Sequence, residues 1–237
     1  MKTKLAIVFV MIASFAPGQN VSYYGIFPAI DHSAGLSKRF SYNVFIFDAL
    51  KPYKSTINGF EDEAWSFYFY TEAGLSYSIN SKLSFTASYV YERQNTFNTY
   101  YRNENRLFQQ LTLKLPIGKA ELKQRLRFDE RFVQNRITRE APLTHRLRYL
   151  AGIKTPFSDK LYGFAYTEFF FNTTPGAQNV LNENWSAAQM GIKLNTKNNF
   201  ETGLLYVGWI NNAQKDMLYQ FYLQVTWVNN LDFSNKK

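Results

Sequence analysis

Short polar turns ending in lysine recur along the chain, at Ser37-Lys38, Ser81-Lys82, Gly118-Lys119, Asp159-Lys160 and Thr196-Lys197, with lysine spacings of 44, 37, 41 and 37 residues. A period of that size holds one β-hairpin. Between successive lysine turns, two alternating stretches are joined by longer polar segments at residues 51–62, 95–103, 133–141, 172–183 and 211–215. Five periods therefore predict ten strands, with short turns at one end and longer loops at the other. That asymmetry belongs to an up-and-down antiparallel β-barrel of the membrane-spanning kind, whose short turns face the periplasm. A twelve-stranded form stays open if the segment ahead of the first turn pairs irregularly.

Side-chain alternation points the same way. Over residues 64–79, Trp65, Phe67, Phe69, Ala73, Leu75, Tyr77 and Ile79 share one face, and Ser66, Tyr68, Tyr70, Glu72, Ser76 and Ser78 share the other. Leu83, Phe85, Ala87, Tyr89 and Tyr91 oppose Ser84, Thr86, Ser88, Glu92 and Gln94; late in the chain, Tyr219, Phe221, Leu223, Val225 and Trp227 oppose Gln220, Tyr222, Gln224 and Thr226. One face suits lipid and the other water. A soluble sandwich also alternates. Strands of about 10 to 14 residues with aromatic ends fit a tilted membrane crossing better than sandwich strands do. Aromatic residues make up 18% of the chain and charges 19%, scattered throughout, which excludes both disorder and a bundle of membrane helices.

Ahead of the repeat, Lys2 and Lys4 precede a small-or-apolar run over residues 5–16, followed by Pro17 and Gly18. This reads as a secretory signal over residues 1–18, with cleavage before Gln19. Residues 19–36 fit the period poorly, because Pro28 and the Asp31-His32 pair interrupt the alternation, and they are read as a periplasmic or lumen-lying leader. The barrel then occupies residues 37–237. Export places it in a bacterial outer membrane, with membrane lipid and, during insertion, the barrel-assembly machinery as partners. Removing Lys2 and Lys4 reduces the formal charge from +9 to +7. No basic helix or recognition motif makes nucleic acid a partner. With no cysteine and only His32 and His145, thiolate and multi-histidine metal sites are unavailable, and no cofactor is expected.

The central strands carry the unusual chemistry. Lys123, Arg125, Arg127, Asp129 and Arg131 alternate with Leu122, Gln124, Leu126, Phe128, Glu130 and Phe132, and Arg146 and Arg148 alternate with Leu147 and Tyr149. An arginine facing hydrocarbon near the midplane costs about 2 to 4 kcal/mol, so these residues, with Arg106 by parity, point into the lumen. Turns centred near Phe157, Ile117 and the Thr196-Lys197 pair would set Arg146 opposite Glu168, Arg106 beside Asp129 and Lys193 opposite Glu201. Arg125, Arg127 and Arg148 then lack a cross-strand acid. Either Glu72 and Glu92 reach across to them and complete a packed polar core, or they hold a small anionic solute.

Four segments resemble a known family: residues 122–132 (LKQRLRFDERF), 145–149 (HRLRY), 168–172 (EFFFN) and 201–203 (ETG). They look like the bacterial family catalogued as domain of unknown function 2490. The resemblance implies an outer-membrane β-barrel and adds no substrate.

An enzyme is not expected. Lipid-modifying barrels pair Ser with His, whereas His145 has outward parity near a rim and Leu147 stands two residues along. Glu61-Asp62-Glu63 is explained by a solvated loop, and no phosphate loop, GxSxG or zinc spacing occurs. The sequence thus points to an outer-membrane barrel that binds or narrowly passes a small anionic solute through an arginine-lined lumen. The alternatives are a closed structural or surface-binding barrel with a packed charged core and, third, a lipid-modifying enzyme.

Overall fold

The computed structural model describes residues 21–57, 60–62, 64–177, 180–211 and 216–234. The expected signal segment, residues 1–18, lies outside them. The strands run in chain order as β1 (Val21–Gly35), β2 (Phe40–Lys51), β3 (Ser55–Ile57), β4 (Phe60–Asp62), β5 (Trp65–Ser78), β6 (Leu83–Gln94), β7 (Arg102–Ile117), β8 (Ala120–Val133), β9 (Leu143–Pro156), β10 (Leu161–Asn172), β11 (Leu181–Lys193), β12 (Asn198–Asn211) and β13 (Asp216–Asp232). All but β3 and β4 close into one barrel; those two form a separate small hairpin within the connection from β2 to β5.

Among the described residues the barrel has eleven strands, not ten or twelve. The added strand is β1, which the alternation had consigned to a leader. β1 pairs antiparallel with β2 and parallel with β13, Val21 lying beside Leu218 and Gly35 beside Asp232. An odd number of strands can close only through one parallel pair, and this is it. Pro28 is accommodated because the ladder to β2 omits Phe27 and Pro28, where a missing N–H costs nothing. The Ser37-Lys38 turn is thus a true hairpin turn between β1 and β2, and a hairpin needs a strand on either side.

Short-turn chemistry repeats with the period. Ser37 Oγ accepts from the amides of Arg39 and Phe40, Asn80 Oδ1 from Lys82 and Leu83, Ser158 Oγ from Leu161, and Asn195 Oδ1 from Lys197 and Asn198. Such side-chain caps fix a tight turn by mimicking its backbone hydrogen bond. The fifth turn uses Gly118 at φ 61° between Ile117 and Ala120, a left-handed conformation that favours glycine.

Alternation then sorts polarity inside out. Leu75, Leu111, Leu126, Ile153, Leu204 and Leu223 stand exposed on the outer wall, whereas Glu92, Glu104, Arg106, Asp129 and Glu168 are buried. One outward assignment is corrected. The β2–β5 register shifts at Ala49/Leu50, and the resulting bulge leaves Phe67 buried, its ring 5.9 Å from that of Tyr23 and 5.0 Å from Lys51 Nζ.

The lumen has two sectors. On β1, β2, β5 and β11–β13, Phe27 stacks on Phe47 at 4.2 Å and Phe47 on Tyr70 at 4.6 Å, while Trp185 meets Phe27 edge-on and Leu205, Val207 and Tyr222 complete the cluster. The charges stand mainly on β6–β10, facing this aromatic sector.

Candidate functional site: the charged lumen

Inward parity on β6–β10 delivers the charged side chains to one interior, and their hydrogen bonds decide what it can do. Glu104 is the hub of one group. It accepts a bidentate pair from Arg131, Nε at 2.7 Å and Nη2 at 2.6 Å, and a further bond from Arg106 Nε at 2.7 Å. Arg106 also donates through Nη2 to Glu92 at 2.9 Å.

Glu168 and Asp129 organise the second group. Arg148 donates Nε and Nη2 to the two Glu168 oxygens at 2.8 and 2.9 Å, and Arg125 Nη2 lies 2.7 Å from the same carboxylate. Asp129 Oδ2 accepts from Arg146 Nε at 2.9 Å and lies 4.0 Å from Arg106 Nε and 3.9 Å from Arg148 Nη1, so it joins the two groups. Glu72 receives Tyr70 Oη at 2.6 Å, Asn43 Nδ2 at 3.2 Å and Arg127 Nη1 at 3.4 Å. Glu183 takes Arg146 Nη1 at 3.3 Å and Trp185 Nε1 at 2.6 Å. Flat guanidinium faces lie on rings: Arg127 is 3.7 Å from the Phe108 centroid, and Arg148 and Arg146 are 4.2 and 4.9 Å from that of Phe170.

The six arginines 106, 125, 127, 131, 146 and 148 therefore meet six carboxylates, Glu72, Glu92, Glu104, Asp129, Glu168 and Glu183. Burial is deepest at the centre, where Arg106 retains 2% exposure and Asp129 none, while Arg125, Arg131 and Glu183 are partly buried. Desolvated charges of this kind are tolerated because bidentate geometry and extra hydrogen bonds offset the loss of water.

Each expected site residue lies in this interior, but the partners differ from those the turn positions suggested. The β9–β10 hairpin is centred two residues later than Phe157, so Arg146 faces Asn172 on β10 and Asp129 on β8, and Glu168 lies opposite Leu150. The β7–β8 turn sets Arg106 opposite Arg131 and diagonal to Asp129. Lys193 stands opposite Asn199, while Glu201 lies beside Gly191 and accepts from Tyr162 Oη at 2.5 Å. Of the two cross-lumen bridges expected, Glu72 reaches Arg127 from β5, whereas Glu92 serves Arg106. Glu104 and Glu183 were missed. Glu104 shares the parity of Arg106, the signal that could have found it; Glu183 falls at the end of a segment whose composition is that of a polar connection.

His145 is on the outer wall of β9, opposite Glu130, with its ring stacked on Phe128 at 5.5 Å. Among the described residues no group of three His, Asp or Glu side chains is placed to hold a metal ion.

A family model described as protein of unknown function (DUF2490) matches residues 57–219, from β3 into β13. No curated protein matches the chain.

Proposed function

The chain belongs to the DUF2490 family of proteins of unknown function, and from that premise we propose that it spans a bacterial outer membrane as a closed barrel, with its work done at the rims rather than through the lumen. The inverted polarity supports the membrane setting: a wall of exposed Leu, Ile and Phe around a charged interior is soluble only in lipid. A secretory signal and the assembly machinery for outer-membrane barrels are parts of the same proposal, and the reading assigns the barrel no catalytic step.

The observation that carries closure is the pairing of the six central arginines with carboxylates, four of them, Arg106, Arg127, Arg146 and Arg148, at 7% exposure or less. An anion path needs cations that keep free donors and a wet approach. Here Val90, Phe108 and Phe170 lie at or below 2% exposure among the charges. Passage of a small anion is therefore the less supported reading. The test is conductance of the refolded protein in planar bilayers. We expect no steady single-channel current; a stable, anion-selective current would overturn the closed reading.

A further inference from the structure

The six central arginines of the lumen are bonded to acids, but two lysines nearer the short-turn mouth are not. Lys114 of β7 lies directly opposite Lys123 of β8 in the ladder. Both share the inward parity that buries Thr112 and Arg127. Among the described residues neither has a carboxylate within the 4.0 Å of an ion pair. Like charges directly opposed across a ladder are unfavourable.

The surrounding mouth adds to the imbalance. Lys154 of β9 lies 3.9 Å above the Tyr162 ring, and Lys193 of β11 shares the inward parity of Gln189 and Gly191. Three carboxylates face the same space: Glu121 opposite Lys154, Glu201 bonded to Tyr162, and Asp31 on β1, which shares the inward parity of Tyr23, Phe27 and Ala29. Around the rim each short turn exposes a base: Arg39, Lys82, Lys119, Lys160 and Lys197. Four of these turns are tied to the next strand, the carbonyls of Arg39, Lys82, Lys160 and Lys197 accepting the amides of Ser78, Lys114, Lys193 and Asn230 at 2.7 to 2.9 Å. With Lys38, ten bases stand at this mouth against the five acids Asp31, Glu121, Asp159, Glu201 and Asp232 among the described residues.

We propose that the short-turn mouth is a binding vestibule for a small phosphate-bearing dianion, straddled by Lys114 and Lys123 with Lys154 alongside. Two ammonium groups on directly paired residues match two negative charges better than one, and lysine binds phosphate as a point charge. The ring of turn bases raises the local concentration of anions and steers them inward. Inward lysines are out of reach of a lipid head group, so the occupant is a soluble ion or monoester entering from the mouth. The packed arginine network above stops it, so the site binds without passing its ligand.

The experiment is calorimetric titration of the purified full chain in detergent with inorganic phosphate, and separately with acetate, at low and physiological salt. Phosphate binding is expected to weaken as salt rises. The K114Q/K123Q double variant is expected to lose roughly tenfold or more in affinity, whereas Lys123→Arg keeps most of it and Lys119→Gln, on the rim, affects mainly the rate of association. Removing two opposed like charges should leave the thermal unfolding temperature unchanged or raised, which separates loss of binding from loss of fold. No phosphate binding at millimolar concentration, equal binding by the double variant, or equal binding of acetate would each overturn the proposal. Phosphate binding by a protein that also conducts would overturn the closed barrel and leave the vestibule standing.

Discussion

Arg106 touches two carboxylates and is nearly cut off from water, so its removal tests whether paired charge holds the interior. Arg106→Gln leaves Glu92 and Glu104 facing each other with one cation fewer, and the protein should lose about 3 to 5 kcal/mol, read by urea unfolding in micelles. The outer wall answers to a different rule. Leu126→Arg should cost about 2 to 4 kcal/mol in a bilayer, whereas Ser76→Arg, toward the lumen mouth, should cost much less; equal losses would contradict the register. Parity made the arginines legible before any coordinates, because side chains must alternate and guanidinium cannot face hydrocarbon. Their partners were less legible, since a turn centre misplaced by two residues moves each facing residue by four. Arg146 consequently meets Asp129 rather than Glu168. Phe67 was unreadable for a related reason: a bulge resets the alternation locally without any mark in the hydrophobic pattern.

Among the elements, β1 separates two closures that the repeat alone cannot distinguish. Without it, β2 and β13 run antiparallel and could in principle close ten strands, as the five periods suggested. With it, Tyr23, Phe27 and Ala29 enter the aromatic sector, and Phe27 alone contacts the rings of Phe47, Trp185 and Tyr222. Deleting residues 21–35 should therefore abolish assembly into a protease-resistant barrel, because it leaves two unpaired edges and opens the aromatic core. A truncated protein that still inserts and resists protease would show that ten strands suffice. The β1 seam also has a polar lock on its outer wall: His32 bonds Asn229 at 2.7 Å and Tyr42 Oη at 2.9 Å, and Asn229 Nδ2 donates to Asn198 at 2.7 Å. Loss of that lock in His32→Ala should lower stability by about 1 kcal/mol, measurable as a fall in thermal unfolding temperature. Pro28 and Asp31-His32 concealed this strand in the sequence. Pro28 breaks the apolar alternation where the ladder to β2 is itself interrupted, and Asp31-His32 break it where the ladder is intact but the histidine has polar neighbours on both sides.

For the molecule as a whole, charge is divided between a neutralised interior and a basic short-turn mouth. Salt should distinguish them. One molar sodium chloride, with a screening length of about 3 Å, should hardly change the unfolding midpoint set by buried ion pairs, while it suppresses attraction of anions to the rim; unfolding that shifts strongly with salt would mean that water reaches the arginines. Odd strand number has a further consequence, for connectivity. In an even-stranded barrel both ends of the chain arrive at one rim, and a linker of a few residues can join them. Here β1 begins at the long-loop rim and β13 finishes at the short-turn rim, neighbours along their whole length yet running the same way. Joining Val21 to Asp232 means retracing a strand of 15 residues, about 50 Å at roughly 3.3 Å per residue. A circularly permuted chain with a short head-to-tail linker should fail to fold where an even-stranded relative would tolerate it. Any label placed at one end of the barrel sheet therefore reports on the opposite rim of the barrel from a label at the other.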